Sequence, residues 1–246
     1  HLNESKKITN SDYTVAIMSG NFMQRGEPAF IDKWSRTKMA IESGIDLVIE
    51  LPTIYAISSA ENFATGAIKI LDSLKIVDFI SFGSECEDIS ILDDITKVLC
   101  SEPADYRTLL SHELSKGISF PKAREKALMI YLNDVRRFAN VLSSPNNILG
   151  IEYLKALRKQ KSNIEPITIK RNGSDHNENM ILPNSTIASA TSIRNACLSN
   201  NFSLLKNVIP HSTYNILEDN MKRGNIVGKL SCFDKEILYT LRKMSI

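Results

Sequence analysis

Three short and almost uninterrupted apolar runs, each followed by a turn, set the strongest limit on how this chain can fold. Residues 13–18 (YTVAIM) end at Ser19-Gly20, residues 46–51 (DLVIEL) are closed by Pro52, and residues 77–82 (VDFISF) end at Gly83. Strands that are apolar on both faces need cover on both faces, which parallel sheets obtain from the helices that connect their strands. Residues 31–43 and 58–74 supply that cover at helical spacing. Gly44 is a natural stop for the first helix, and Ser58-x-x-Glu61 reads as a capping box that opens the second. The expected fold is α/β: a Rossmann-like, doubly wound parallel sheet.

Residues 89–140 break the alternation. Helices are expected near 89–100, 105–116 and 121–138 with no strand between them, so this stretch reads as a helical insertion. A helix then opens at Ser143-Ser144-Pro145 and runs to about Lys161, and residues 164–170 (IEPITIK) return as a strand. Residues 172–188 are polar and rich in turn formers, and Ser189 caps a short helix. Everything after Asn201 looks helical. The expected division is an α/β domain over 1–200 and the start of a helical region over 201–246. His1 is not preceded by Met, and residues 1–7 read as the tail of a helix already under way. The last residues stop without a cap, so a chain clipped at both ends is expected, with the first strand of the sheet missing.

Composition excludes more than it identifies. The hydrophobic share of 43% and charged share of 24% are those of a globular protein, not a disordered one. The four cysteines, Cys86, Cys100, Cys197 and Cys232, have neither C-x-x-C spacing nor clustered histidines. That argues against a disulfide framework and a zinc module, and for a reducing, cytoplasmic setting. No apolar run approaches the ~20 residues that cross a bilayer, so no membrane partner is expected. A net charge of +2 announces no nucleic acid by itself.

Ligands of open parallel sheets bind at the carboxyl ends of the strands, where helix N-termini offer free amides. Four segments fall there. Residues 19–29 place Ser19, Gly20 and Arg25 in a long loop, with glycine for close backbone approach and a guanidinium fork for phosphate or carboxylate. Gly83 follows a strand and can admit a base or ribose, or serve as an ordinary turn glycine. Asn146 and Asn147 open a helix, where one asparagine can cap and the other face a ligand. Arg171 at a strand end, with Thr191, Ser192 and Arg194 at a helix start, can clamp a chain of phosphates. Against this stands a plain capped helix with Arg194 in water. No Walker A and no G-x-G-x-x-G motif occurs. Glu85, Glu87 and Asp88 form an acidic loop that is ordinarily solvated, and no metal ligands are assigned. Trp34 reads as core. Basic residues at 122–137 and 155–161 are solvated faces or an RNA surface.

The segments SGNFMQRGEPAFIDKWSRTKMA, FGSE, SSPNNILGIEYLKAL, ITIKRNG and SATSIR follow one another in this order. The set resembles the bacterial tRNA(Met) cytidine acetate ligases over nearly the whole chain. The resemblance implies a nucleotidyltransferase core of the class-I synthetase superfamily, with ATP as cosubstrate and Mg²⁺ accompanying the nucleotide. It implies activation of acetate to acetyl-adenylate and acetyl transfer to the wobble cytidine of elongator methionine tRNA, with no DNA partner. Matched by position, the family's ATP-contacting glycine falls on Gly83, its asparagine on Asn146 or Asn147, and its arginine on Arg171. Thr191, Ser192 and Arg194 fall on a mobile phosphate-binding signature. The resemblance also implies a His-x-Gly-His-like loop that holds the ATP phosphates upstream of residue 1, and it names no catalytic residue within this chain. Two other readings stay open: a non-catalytic tRNA-binding fragment without the phosphate loop, and an adenylyl transferase for another small molecule.

Overall fold

A computed structural model describes residues 1–86, 88–138, 140–171, 181, 187–199, 201–227 and 230–244, with the side chains of Arg25 and Val135 outside that description. In chain order the elements are α1 (Leu2–Thr9), β1 (Val15–Ser19), α2 (Lys33–Glu42), β2 (Leu47–Leu51), α3 (Thr53–Ala56), α4 (Ala60–Leu74) and β3 (Phe79–Ser84). Then come α5 (Ile89–Ser101), α6 (Ala104–Ser115), α7 (Phe120–Tyr131), α8 (Val135–Phe138), α9 (Pro145–Gln160) and β4 (Glu165–Lys170). The last helices are α10 (Ala190–Leu198), α11 (His211–Lys222) and α12 (Asp234–Lys243). The chain divides into two compact units. One comprises His1, Asn3–Asn10 and Ser59–Arg171, and the other Leu2, Ser11–Ser58 and Asn172–Ile246.

The expected α/β architecture is present as two parallel ladders, one in each unit. β1 pairs with β2 from Val15↔Leu47 to Ser19↔Leu51, and β3 pairs with β4 from Phe79↔Glu165 to Ser84↔Lys170. Each ladder is two-stranded. In the first unit α9 packs between α4 and α5 and beneath β3. Ile68, Leu92, Ile95 and Ile151 are fully or almost fully buried there. Gly150 makes this approach possible, because a Cβ on it would stand 2.6 Å from Phe82 Cε2 and 3.3 Å from Leu92 Cδ1. In the second unit Ile31, Ala196, Cys197, Leu205 and Leu217 form a continuous buried cluster.

Several sequence expectations shift by a residue or two, each for a local reason. α4 is capped by Ser59, which accepts from the Asn62 amide, and not by Ser58. Ser58 has turned its hydroxyl back onto the Ile54 carbonyl at 2.7 Å, closing the unforeseen turn of α3. Gly83 lies inside β3 rather than after it, since pairing with β4 continues through Gly83↔Ile169 and Ser84↔Lys170. The helix expected over 121–138 breaks between α7 and α8, where Asn133 takes a left-handed φ of 53°. Trp34 is not core: it is 74% exposed on the first turn of α2. Most of the polar stretch 172–188 lies outside the described residues. Among the described residues no helix is long and apolar enough to cross a membrane.

Candidate functional site

The carboxyl ends of β3 and β4 carry the densest polar network of the first unit. Ser84 ends β3 with its side chain buried, its hydroxyl bonded to the Cys86 carbonyl and lying 2.6 Å from Thr168 Oγ1. The chain then crosses the N-terminus of α9, and the two segments lock reciprocally. Asn147 Oδ1 accepts from the backbone N–H groups of Glu85 and Cys86, both at 2.9 Å. The Glu85 carboxylate reaches back, accepting from the Asn147 N–H at 3.0 Å and from Asn146 Nδ2 at 2.5 Å. A carboxylate at a helix N-terminus is favoured by the free amides and the helix dipole, so Glu85 stabilises the start of α9.

Two adjacent asparagines therefore do different work. Asn147 is 3% exposed and spends its acceptor on the loop backbone. Asn146 is only half-buried, and its Oδ1 accepts from Arg171 Nη1 at 3.4 Å. Arg171 follows β4, tied in by its own N–H to the Ser84 carbonyl at 3.0 Å. Its aliphatic stem runs over Gly83: a Cβ on that glycine would sit 3.2 Å from Arg171 Cγ and 3.7 Å from Cδ. All four residues matched to nucleotide contacts, Gly83, Asn146, Asn147 and Arg171, are thus gathered in one place.

His1 joins them. Its Nδ1 would be 3.8 Å from a Gly83 Cβ, and its Nε2 lies 3.1 Å from Ser81 Oγ, which in turn is 2.7 Å from Ser5 Oγ. The sequence reading passed over this imidazole because a first residue has no pattern around it. The result is a glycine-floored ledge with an imidazole, an amide and a guanidinium on its rim. Such a set can cradle a planar ring or an anionic group.

The second unit holds the other candidates. Ser19 is buried at the end of β1, and the carbonyls of Ser19 and Gly20 both accept from Arg36 Nη2. Arg36 was missed by the sequence reading, since an arginine inside an amphipathic helix carries no local signal. The Arg25 side chain lies outside the described residues. Ser189 caps α10 as expected, accepting from the Ser192 amide at 3.0 Å. Ser192 is buried and turns its hydroxyl to the Ser189 carbonyl at 2.9 Å. Exposed Thr191 accepts from Arg194 Nη2 at 3.2 Å, so those two share one surface of the first turn.

The acidic loop and the basic helices are largely occupied. Asp88 caps α5 through the Ser90 amide, Glu85 is engaged as described, and Glu87 lies outside the described residues. No group of three metal-ligating side chains occurs among the described residues. Lys155 pairs with Glu152 and Glu61, Arg158 with Asp93, and Lys159 with Glu61. Lys126 faces Glu113, and Arg137 pairs with Asp94. These pairs take up part of each basic face.

The chain is similar to several known proteins. The tRNA(Met) cytidine acetate ligase of Caldanaerobacter subterraneus is 51% identical over 242 residues, covering 98% of this chain and 60% of that protein. The ligase of the same name from Acetivibrio thermocellus is 49% identical over 249 residues, covering 100% of this chain and 60% of that protein. The chain thus spans about 60% of the length of the curated relatives it matches. Among solved structures, apo Thermotoga maritima TmcAL superposes with a TM-score of 0.86 at 38% identity, covering 92% of this chain and 54% of that one. Its complex with alpha-thio ATP superposes at 0.82, covering 92% of this chain and 53% of that one. The model of the HIGH nucleotidyl transferases matches residues 1–246. With strands paired in parallel and a polar cluster at their carboxyl ends, the chain belongs to the HIGH nucleotidyl transferase family.

Proposed function

We propose that the protein containing this chain activates acetate with ATP and transfers the acetyl group to the wobble cytidine of elongator methionine tRNA. The observation that carries this reading is the convergence of His1, Gly83, Asn146 and Arg171 on one ledge in a chain half identical to ligases of that name. In the first step an acetate oxygen attacks the α-phosphorus of ATP and pyrophosphate leaves. In the second, the exocyclic amine of cytidine attacks the acyl carbon, loses a proton and expels AMP. Neither step needs a covalent enzyme nucleophile, so positioning and charge stabilisation supply the catalysis.

On this reading Gly83 leaves room for the Arg171 stem beside the nucleotide, Asn146 meets the base or ribose at the rim, and Arg171 takes a phosphate. Asn147 holds the loop and does not touch nucleotide. Thr191 and Arg194, with Ser192 buried behind the Ser189 cap, and Ser19, Gly20 and Arg25 are the further candidates for phosphate or substrate. Glu85 and Asp88, beside the ledge, are engaged at helix N-termini, and on this reading Mg²⁺ arrives with the nucleotide phosphates. A cytoplasmic location follows from the tRNA substrate. The test is to incubate the full-length protein with ATP, Mg²⁺, acetate and methionine tRNA. N4-acetylcytidine with AMP and pyrophosphate is expected, and active, folded protein that yields none overturns the reading.

A further inference from the structure

Arg36 is an unusual residue to find in a connecting helix. Its Nη2 donates to the Ser19 carbonyl at 2.7 Å and also to the Gly20 carbonyl. Its Nε is buried without an acceptor among the described residues. Burial pulls its pKa down, while Asp32 and Glu50 pull it up. The Glu50 carboxylate occupies the space a Gly20 Cβ would need, held there by Lys33 Nζ at 2.6 Å. Asn21 is pinned as well: its Oδ1 accepts from the Lys33 amide at 3.0 Å and its carbonyl from the Ala29 amide at 2.8 Å. Desolvating a guanidinium and leaving one donor unpaired is costly, so a turn needing only closure would be built more cheaply.

The consequence lies in the peptide planes. A trans peptide points its N–H opposite to its carbonyl. Turning the Ser19 and Gly20 carbonyls onto one guanidinium therefore turns the N–H groups of Gly20 and Asn21 to the opposite side, together. Successive N–H groups presented on one side of a turn make an anion seat. We propose that Arg36 is a positioning residue that fixes the Gly20 and Asn21 amides as a seat for the carboxylate of the small-acid substrate. The Glu50–Lys33 pair packs on Gly20, and only glycine leaves room for it. This rests on the reading of the protein as a carboxylate-activating enzyme.

The test uses the full-length enzyme and its Arg36→Ala and Arg36→Lys variants. Acetate-dependent exchange of labelled pyrophosphate into ATP gives KM for each substrate separately. Arg36→Ala is expected to raise KM for acetate by about tenfold or more, with KM for ATP within about twofold. Lysine is expected to restore only part, since it cannot hold two carbonyls with a planar fork. Equal losses for both substrates would make the residue merely structural and overturn the proposal. A second measurement stands apart from activity. Serine-carbonyl ¹³C with glycine ¹⁵N labelling isolates the Ser19-Gly20 and Ser43-Gly44 peptides of this chain, and Ser43→Ala removes the second. The Gly20 amide is expected to shift on adding sodium acetate, not sodium chloride, and to stay still in Arg36→Ala. If exchange is absent in the wild type the functional reading fails, and this titration alone decides: a silent Gly20 amide overturns the seat.

Discussion

Asn146 and Asn147 differ by one position and should fail in opposite ways when truncated. Asn147→Ala removes the acceptor of two backbone N–H groups, those of Glu85 and Cys86. Asn147 itself is 3% exposed, so little water reaches the gap. At about 1–1.5 kcal/mol for each lost bond, the cost is about 2–3 kcal/mol. A domain of this size shifts its Tm by about 2–4 °C per kcal/mol, so a drop of about 4–12 °C is expected. Asn146→Ala removes a half-buried amide bonded to Glu85 and Arg171, and should cost under about 1 kcal/mol. On the site assignment it also loses a nucleotide contact and releases Arg171, which weakens ATP binding by about tenfold, near 1.4 kcal/mol. Calorimetric unfolding and ATP titration of both variants in the full-length protein measure the two effects. Asn147→Ala with an unchanged Tm and lost ATP affinity would refute the assignment, as would Asn146→Ala with wild-type affinity.

Arg171→Ala should weaken ATP binding by about tenfold while leaving Tm nearly unchanged, with lysine a partial rescue; a sharp fall in Tm with intact affinity would make it structural. Gly150→Ala should lower the urea midpoint, because clashes with Phe82 and Leu92 cost about 1–3 kcal/mol and outweigh the ~1 kcal/mol gained in helix propensity. Burial pushes the Cys197 thiol up to about 11, so at pH 8 a thiol reagent should label exposed Cys100 and Cys232 quickly and Cys197 only on unfolding. Burial opposes ionisation of Asp32, but hydrogen bonds from Ser35 and the Trp34 amide hold its carboxyl below the ordinary range. Its stabilising contribution is therefore present above about pH 4 and lost as pH falls through the lowered value; Asp32→Asn should flatten that part of a Tm-versus-pH curve.

The element pattern was legible because it rests on periods. Apolar runs, Gly44, Pro52 and Ser189 located strands, stops and a cap to within a residue or two. Where the reading slipped, a competing local bond decided. Ser58 and Ser59 are both competent caps, and only the turn over Ile54 settles which hydroxyl is free for α4. The end of β3 was misplaced because glycine reads as punctuation, whereas pairing with β4 carries the strand two residues further. Trp34 was read with Met39 and Ile41 as core rather than a stacking platform, yet its place beside the Asp32 cap turns it outward. The site was legible as residue types at strand ends. What remained hidden was every relationship that joins distant residues: His1 to Gly83, Glu85 to α9, and Arg36 to the β1 turn.

Those hidden relationships share a logic. Glu85 binds the N-terminus of α9 on one side and, through the Asn147 acceptor, has its own backbone held in return. Removing either partner therefore frees a loop and a helix end together. That reciprocity leaves Asn146 with no scaffolding duty beyond Glu85, so its oxygen is available to orient Arg171. A surface arginine has many rotamers, and an enzyme that depends on one of them must restrict it at low cost. The glycine floor and the Asn146 oxygen do so from two directions, leaving the outer edge of the guanidinium for an anion. On the proposed reading, rigid partners buried below and a restrained cation above give the phosphates of a nucleotide one fixed charge to meet.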